Sequence, residues 1–386
     1  MKILVTGASG FIGSFIVEEA LQRGMEVWAA VRKSSSREWL QDSRINFIEL
    51  DFRSQQRLEE QLRDHVFDYV VHAAGVTKCL DKQDFFRTNT EGTQHLVRAL
   101  IALQMPLKRF VYLSSLSIFG AIREQQPYEE IRESDTPQPN TAYGQSKLLA
   151  EQFLEQVNAS DKLQVTSEKY DYSQGCDGSS NGNLTSHLEA SQGNDASSNG
   201  NHTSHLSPLT SHLETFPYVI LRPTGVYGPR EKDYFLMAKS IKAHSDFAVG
   251  FRRQDITFVY VKDVVQAVFL ALDHGKTGRK YFLSDGCVYQ SSTFSNLIRR
   301  ELGSPWWIRI TAPVWLLRVV TFCGEHIGRL TGKISALNND KYHILKQRNW
   351  RCDIQPAIDE LGYQPHYQLE QGVKETIAWY KEHGWL

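Results

Sequence analysis

KILVTGASGFIG, at residues 2–13, is the stretch that decides the fold. Its first residues are apolar or favour β structure and predict a buried strand, whereas residues 15–21 have helical periodicity. Between them lie Gly7, Gly10 and Gly13, the spacing of a dinucleotide-binding turn. The first glycine permits a tight turn, the second lets the backbone approach a pyrophosphate, and the third lets helix and strand pack closely. The segment therefore predicts a dinucleotide site with the phosphates at a helix N-terminus.

The remainder of the first 157 residues alternates strand and helix, which is typical of a parallel sheet covered by helices on both faces. We therefore predict an α/β fold with a Rossmann-type doubly wound parallel sheet over residues 1–157. Further strands are predicted at Glu26–Val31, Asn46–Glu49, Asp68–His72 and Arg109–Leu113, and helices at Phe11–Arg23, Ser54–Arg63, Asp84–Leu103 and Ala142–Val157.

A low-complexity insertion interrupts this pattern at residues 158–215. The segment Ser173–Leu188 recurs almost verbatim as Ser191–Leu206, and Leu209–Glu214 repeats part of it again. Because the insertion is rich in Ser, Asn and Gly and poor in core-forming residues, we expect it to be disordered.

Ordered structure is predicted to resume at the buried strand Phe216–Pro223. Residues 216–279, with a predicted helix at Lys262–Asp273, should complete the sheet and interleave with a substrate lobe. Residues 280–386 should form the smaller, helix-rich C-terminal lobe that binds the substrate.

Composition limits the partners and the compartment. The chain has 43 Lys and Arg against 44 Asp and Glu, so its net charge of -1 gives no reason to expect nucleic acid. No apolar run is long enough to span a bilayer, and a strand beginning at residue 2 argues against a signal peptide. The cysteines lack CxxC spacing and the histidines form no metal signature. These features predict a cytoplasmic protein with reduced thiols and no metal.

Three side chains form a candidate catalytic set. Tyr143 and Lys147 lie four residues apart at the start of a predicted helix, so both project from one face. Ser115 follows the strand Arg109–Leu113 and could reach the same point. Together they offer a phenol that exchanges a proton, a cation that favours the ionised phenol, and a hydroxyl that orients a substrate oxygen. Because a free tyrosine has a pKa near 10, work near neutrality requires its pKa to fall by about 2–3 units.

The ordered set of motifs resembles the extended short-chain dehydrogenases/reductases of the NAD-dependent epimerase/dehydratase superfamily. The likeness covers nearly everything except the repeated insertion. It implies an enzyme in which Tyr143 is the general acid and base, Lys147 holds the nicotinamide ribose and lowers the tyrosine pKa, and Ser115 binds the substrate oxygen. The motifs that carry the likeness are residues 6–13, Asp51, residues 72–75, residues 89–93, Ser114-Ser115, residues 143–147 and residues 221–230.

The same resemblance implies the cofactor contacts. Asp51 would meet the adenine, and Ala73 to Gly75 would line the cofactor. For Asn89, packing or helix capping is an equally good interpretation. The implied set is Gly7, Ser9, Gly10, Phe11, Ile12, Gly13, Arg32, Asp51, Phe52, Ala73, Ala74, Gly75, Asn89, Tyr143, Lys147, Pro223 and Val226. Ser115 is favoured over its neighbours Ser114 and Ser117 because it stands five residues before Gly120, where the family places this hydroxyl.

The end of the second predicted strand bears on which nicotinamide cofactor is used. NAD enzymes usually carry an acid there that accepts hydrogen bonds from the ribose hydroxyls. Here the strand ends in Val31-Arg32-Lys33, and a guanidinium can bind a 2′-phosphate that a carboxylate would repel. The sequence therefore favours NADP(H), with NAD(H) as the alternative if Arg32 points into solvent.

Two positions bear on the substrate. Nucleotide-sugar epimerases and dehydratases of the class that this chain resembles carry an asparagine and an arginine that hold a diphosphate. Gly225 and Ile256 stand at those positions here, although Arg252 and Arg253 lie close in sequence and could compensate. Residues 221–228 instead resemble those of 3β-hydroxysteroid dehydrogenases and dihydroflavonol reductases, whose substrates are apolar alcohols or ketones.

An apolar segment at Pro313–Phe322 has three interpretations. Over a substrate cleft it would suit a sterol-like ligand, and it equally fits a helix facing the core or a second subunit. Attachment to a membrane surface is less favoured, since Arg318 is the only cation within the stretch.

The combined prediction is an NAD(P)-dependent oxidoreductase that interconverts a secondary alcohol and a ketone on an apolar ring, as 3β-hydroxysteroid dehydrogenases do. Its partner is a small-molecule substrate, and a homodimer is compatible with the sequence. A nucleotide-sugar epimerase or dehydratase is the alternative. A non-catalytic NADP-binding sensor is a remote one, because Ser115, Tyr143 and Lys147 are all present.

Overall fold

The computed structural model describes residues 1–159, 215–331 and 339–386, so the predicted insertion at 158–215 lies almost entirely outside the described residues. The strands in chain order are β1 (Lys2–Thr6), β2 (Glu26–Val31), β3 (Asn46–Glu49), β4 (Tyr69–His72), β5 (Arg109–Leu113), β6 (Tyr218–Pro223), β7 (Gly225–Tyr227), β8 (Ser245–Val249), β9 (Asp255–Ile256), β10 (Phe258–Tyr260), β11 (Lys280–Leu283), β12 (Tyr289–Gln290) and β13 (Ile308–Ala312). The helices are α1 (Phe11–Gln22), α2 (Gln55–Leu62), α3 (Gln83–Phe85), α4 (Gly92–Ala102), α5 (Ala142–Ala159), α6 (Lys232–Lys242), α7 (Val261–His274), α8 (Ser291–Glu301), α9 (Val314–Thr331), α10 (Asn339–Lys346), α11 (Gln355–Leu361) and α12 (Leu369–Glu382).

A seven-stranded parallel sheet in the order β11-β6-β5-β4-β1-β2-β3 forms the centre of the molecule. The chain runs outward from β1 in one direction and from β4 in the other. The order therefore reverses between β1 and β4, the point at which doubly wound sheets bind ligands beyond the strand carboxyl ends. This arrangement confirms the predicted Rossmann-type fold.

Both faces of the sheet are buried, because alternate strand residues point to opposite sides. Val5 and Val111 belong to one apolar cluster, with α1, α7 and α11. Their neighbours Leu4 and Phe110 belong to the other, with α2, α4 and α5. The helices on both faces account for the nearly continuous apolar strands that the sequence shows.

Two differences from the predicted elements concern the edges of the site. The helix predicted as one piece at Asp84–Leu103 is interrupted by a π-helical turn, Phe86–Glu91, between α3 and α4. The strand β11 lies within the range predicted for the C-terminal lobe, 280–386, but pairs in parallel with β6. The sheet therefore extends to Leu283, and the C-terminal lobe begins after it.

The lobe beyond the main sheet is built from short strand pairs and helices around a third apolar cluster. The pairs are β7 with β10, β9 with β12, and β8 with β13. Tyr227, Phe258 and Phe294 are among the aromatic residues of this cluster. Among the described residues, no helix combines the length and apolar character needed to cross a bilayer.

Candidate active site

The glycine turn has the geometry that the sequence predicts. Gly7 adopts a left-handed φ of +69°, and a Cβ on it would lie 2.6 Å from the carbonyl oxygen of Ala73. A Cβ on Gly13 would lie 2.1 Å from the Gly7 carbonyl oxygen, so only glycine lets α1 pack on this turn. The turn thereby places the N-terminus of α1 at the carboxyl end of β1. The turn fits a dinucleotide pyrophosphate.

A cleft of about 740 Å³ lies at the carboxyl ends of β2 and β3. Arg32, Asp51 and Phe52, three of the predicted cofactor contacts, line it. The Asp51 carboxylate accepts hydrogen bonds from Arg53 (2.8 and 2.7 Å) and Arg57 (2.5 Å). The Arg53 guanidinium, partly opposed by burial, holds the pKa of Asp51 well below its usual range. Its role toward an adenine remains a prediction.

Asn89 links the end of β4 to the catalytic helix α5. It lies in the π-helical turn and is fully buried. Its side-chain oxygen accepts the Val76 amide (2.8 Å), and its side-chain nitrogen donates to the Val76 carbonyl (3.0 Å) and to the Ser146 hydroxyl (3.0 Å). Asn89 therefore positions the loop that follows Ala73-Ala74-Gly75, which agrees with the packing interpretation.

The buried His72 fixes the same loop. The sequence alone assigned this histidine no role beyond its place in the motif 72–75. His72 Nδ1 lies 2.7 Å from the Thr6 hydroxyl, and its Nε2 lies 2.9 Å from the Thr93 hydroxyl. Thr93 donates to the Asn89 carbonyl, so Nε2 carries the proton and Nδ1 accepts from Thr6. Burial lowers the pKa of His72 to about 3, and the ring is neutral at physiological pH.

Lys147 reaches from α5 to the carboxyl end of β5. Its ammonium donates to the Leu113 carbonyl (2.8 Å) and lies 4.8 Å from the centre of the Tyr112 ring. A Cβ on Gly75 would lie 3.3 Å from this nitrogen, so the structure brings Lys147 against the predicted cofactor loop. Burial lowers the pKa of Lys147 to about 8, although Glu151 on the same helix opposes the shift.

Tyr143 approaches Ser115, which lies two residues beyond the Leu113 carbonyl that Lys147 contacts. The Ser115 hydroxyl accepts the Ser117 amide (3.1 Å), caps the short 3-10 helix Leu116–Ile118, and lies near enough to the Tyr143 phenol to lower its pKa. Burial raises the pKa of Tyr143 to about 12, and the bond from Ser115 partly offsets this. Tyr143 is therefore a protonated phenol near neutral pH and can donate its proton.

Gly144 makes this meeting sterically feasible. A Cβ on Gly144 would lie 2.4 Å from the Ser117 carbonyl oxygen. We expect Gly144→Ala to push Ser115 and Ser117 away from α5. Turnover should fall at least tenfold, because small displacements of catalytic groups lower the rate strongly. Gln145→Ala on the next residue is the control and should retain activity. Steady-state rates of both purified variants test this, and wild-type turnover in Gly144→Ala would contradict it.

Asp340 also contacts the N-terminus of α5. The sequence does not predict this contact, because Asp340 comes from a distant part of the chain. The Asp340 carboxylate in α10 accepts the backbone amides of Ala142 (3.4 Å) and Tyr143 (3.3 Å). Burial raises the pKa of Asp340, and the two amides oppose the rise. The C-terminal lobe thus caps the helix that carries the phenol. No local sequence signal connects these residues.

The end of β6 completes the sheet edge near the site. Pro223 ends β6 and Val226 lies in β7, and their approach to a cofactor remains a prediction. Arg222 forms a buried ion pair with Glu151 at 2.5 Å, which ties β6 to α5. This arginine therefore has a structural role.

The two positions that hold a diphosphate in nucleotide-sugar enzymes are apolar here. A Cβ on Gly225 would lie 2.8 Å from the Tyr234 hydroxyl and 3.3 Å from the Phe258 ring, so Tyr234 occupies the space of a side chain. Ile256 packs against the same aromatic cluster. Arg253 donates to the buried Asp255 carboxylate at 2.7 Å.

The sequence model of the NAD dependent epimerase/dehydratase family matches residues 3–179 and 209–283 of the chain. The chain belongs to this family. Its relatives include dehydrogenases, epimerases and dehydratases, enzymes that act on CH–OH groups, so the predicted enzyme class is confirmed. The nicotinamide cofactor predicted from the glycine turn agrees with the family.

Relatives that are named for a nucleotide-sugar substrate and relatives that are named for a sterol substrate both resemble the whole chain. UDP-glucose 4-epimerase of Vibrio cholerae is 24% identical over 97% of this chain and 94% of its own. A decarboxylating sterol-4-alpha-carboxylate 3-dehydrogenase of Candida albicans is 21% identical over 99% of this chain and 98% of its own. The crystal structure of Thermus thermophilus UDP-glucose 4-epimerase in complex with NAD has a TM-score of 0.69 at 19% identity, with 99% of each chain covered. They share the fold and leave the substrate class open.

Proposed function

We propose that this protein is an NADP(H)-dependent oxidoreductase that interconverts a secondary alcohol and a ketone on an apolar ring, such as a steroid. The observation that supports the proposal most is the arrangement at the end of β5, where Tyr143 approaches Ser115 and Lys147 reaches the Leu113 carbonyl and the Gly75 loop. The substrate class rests on Gly225 and Ile256, neither of which offers an amide or guanidinium group to a diphosphate.

The residues present suit a bound dinucleotide. The turn from Gly7 to Gly13 would hold the pyrophosphate, and Lys147 would hold the nicotinamide ribose. When bound, the reduced nicotinamide supplies a hydride to the carbonyl carbon of the ketone.

The protein's own groups handle the proton and the developing charge. Tyr143 donates its phenolic proton to the substrate oxygen, which becomes the alcohol hydroxyl, and the Ser115 hydroxyl stabilises that oxygen as it gains negative charge. The Lys147 ammonium stabilises the phenolate that remains. In the oxidative direction the phenolate accepts the proton, so the high pKa of free Tyr143 must fall on cofactor binding.

Arg32 supports the preference for NADP(H). Arg32 and Lys33 line the cleft at the end of β2, where an NAD enzyme usually has an acid. We expect Arg32→Asp to reverse the preference and to lower the NADPH to NADH ratio of kcat/KM about 10²-fold or more. The loss combines a charge-assisted pair with new repulsion of the 2′-phosphate.

The control for this change is Arg63→Asp, an exposed cation at the end of α2. It alters net charge equally and should leave the cofactor preference unchanged. Kinetics with both cofactors measure the ratio. An unchanged ratio in Arg32→Asp would remove Arg32 from the site.

A nucleotide-sugar epimerase is the second candidate, favoured by the relatives that carry this name. The deciding experiment incubates the purified protein with NADPH and cyclic ketones, including ketosteroids, and separately with UDP-glucose. The proposal predicts NADPH oxidation with a cyclic ketone and no change in UDP-glucose. Isomerisation of UDP-glucose without net cofactor oxidation would establish the epimerase instead.

A further inference from the structure

A two-stranded sheet in the C-terminal lobe presents an apolar outer face. In the pairing of β8 with β13, Asp246 lies opposite Arg309 and Phe247 lies opposite Ile310. Asp246 is buried and bonded to Arg309 at 2.6 Å, and Arg309 donates to Ser295 of α8. Because successive side chains alternate across a strand, Phe247, Ile308 and Ile310 face away from α8. They are 66%, 60% and 45% exposed.

The helix that follows β13 continues this pattern. On α9, Trp315 and Val319 are one helical turn apart and 68% and 52% exposed. Leu317 and Thr321, at the same spacing on another stripe, are buried. A surface helix normally turns its apolar stripe inward, and here large apolar side chains also point outward. Together with the outer face of β8 and β13, this surface forms what we call the basic apolar face, which comprises Phe247, Trp306, Ile308, Ile310, Trp315, Leu316, Val319 and Val320.

The exposed charged side chains within the segments that carry the basic apolar face are positive. Residues 234–253 and 302–324, which contain it, include no acid other than the buried and paired Asp246. The cations in these two ranges are Lys239, Lys242, Arg252, Arg253, Arg309 and Arg318, of which Arg253 pairs with Asp255 and Arg309 pairs with Asp246. The whole chain has a net charge of -1, so this concentration of positive charge is local.

We propose that the basic apolar face docks on the surface of an anionic lipid bilayer. Exposed tryptophan, phenylalanine and aliphatic side chains bordered by lysine and arginine match the interface between acyl chains and negative headgroups. A second copy of this chain fits less well, because an isologous contact would place the same cations opposite each other. The stretch Pro313–Phe322 contains one cation, Arg318, and the segment that carries β8, the partner strand of β13, adds Lys239, Lys242 and Arg252.

Binding of the full-length protein to vesicles tests the proposal. We expect flotation with vesicles of phosphatidylcholine and phosphatidylglycerol, weaker flotation with phosphatidylcholine alone, and release by high salt. The double variant Phe247→Ser, Trp315→Ser should lose at least tenfold in partition coefficient, since each side chain contributes buried apolar area. The matched control is Val66→Ser, which removes an exposed apolar side chain before β4.

The charge contribution has its own variant. Arg252→Gln, Arg318→Gln should bind the anionic vesicles about 25-fold more weakly, at about fivefold for each cation near the surface. Arg63→Gln should have no effect. All variants should keep the wild-type melting temperature and NADPH affinity, which separates loss of docking from loss of folding.

Three results would overturn the proposal. The first is a wild-type protein that stays with the soluble fraction in the presence of anionic vesicles. The second is equal partition of the Phe247→Ser, Trp315→Ser variant and wild type. The third is a wild-type dimer that the same variant dissociates, without vesicle binding, since the face would then be a subunit interface.

Discussion

Replacing Tyr143 by phenylalanine is expected to reduce turnover by about 10²–10⁴-fold, the range that a positioned general acid contributes. The change removes one oxygen and leaves the ring that contacts Phe85, so α5 and the cofactor cleft should keep their shape. NADPH affinity should therefore change little. Steady-state kinetics with a cyclic ketone and a fluorescence titration of NADPH measure the two quantities.

Tyr69→Phe is the matched control for this variant. Tyr69 is also largely buried, but it lies at the amino end of β4, opposite the edge that carries the site. Its loss of a hydroxyl should leave turnover at the wild-type level. Robust turnover in Tyr143→Phe would refute the assignment of the phenol as the proton donor.

Lys147→Met is expected to lower turnover by about 10²–10³-fold, comparable to removal of one preorganised charge-stabilising donor. Methionine preserves the length of the side chain and removes the ammonium that stabilises the Tyr143 phenolate. The same variant tests the environment of Lys147 through the pH dependence of stability.

The sign of that dependence follows from the direction of the pKa shift. Burial lowers the pKa of Lys147 to about 8, below its ordinary value of 10.5. Between these values the unfolded chain binds more protons than the folded one, so the penalty of burying the charge fades as pH rises. The free energy of unfolding of the wild type, relative to Lys147→Met, should rise by about 2 kcal/mol between pH 8 and pH 10.

Urea denaturation at several pH values measures this difference. The difference in free energy of unfolding between the two proteins also includes the hydrogen bond from Lys147 to the Leu113 carbonyl, which the variant loses. The change of this difference with pH is therefore the informative quantity. Parallel stability curves between pH 8 and pH 10 would contradict a buried, charge-penalised lysine.

Short sequence patterns predicted the glycine turn and the pair of Tyr143 and Lys147. Gly7 and Gly13 each require a backbone conformation or approach that other residues cannot adopt, so their spacing specifies a turn. Tyr143 and Lys147 are one helical turn apart, and that spacing fixes their common face. These inferences need no knowledge of distant contacts.

The remaining features depend on contacts between distant parts of the chain. Asp340 reaches the N-terminus of α5 across 197 residues, and Tyr234 fills the space beside Gly225 from another element. The short strands β8 and β13 are also separated by a long segment, and their pairing alone shows which side chains face outward. Periodicity within a single window contains no information on such pairings.

The central claim is that a hydride passes between the nicotinamide and a substrate carbon while Tyr143 supplies the proton. Its most direct test is reduction of a ketosteroid with NADPH that carries deuterium at the transferable position of the nicotinamide. The account predicts one deuterium on the carbinol carbon of the product for each cofactor oxidised, and a rate of deuterium transfer about 10²–10⁴-fold lower in the Tyr143→Phe variant. A product without deuterium, or a UDP-sugar isomerised while the cofactor is not consumed, would contradict it.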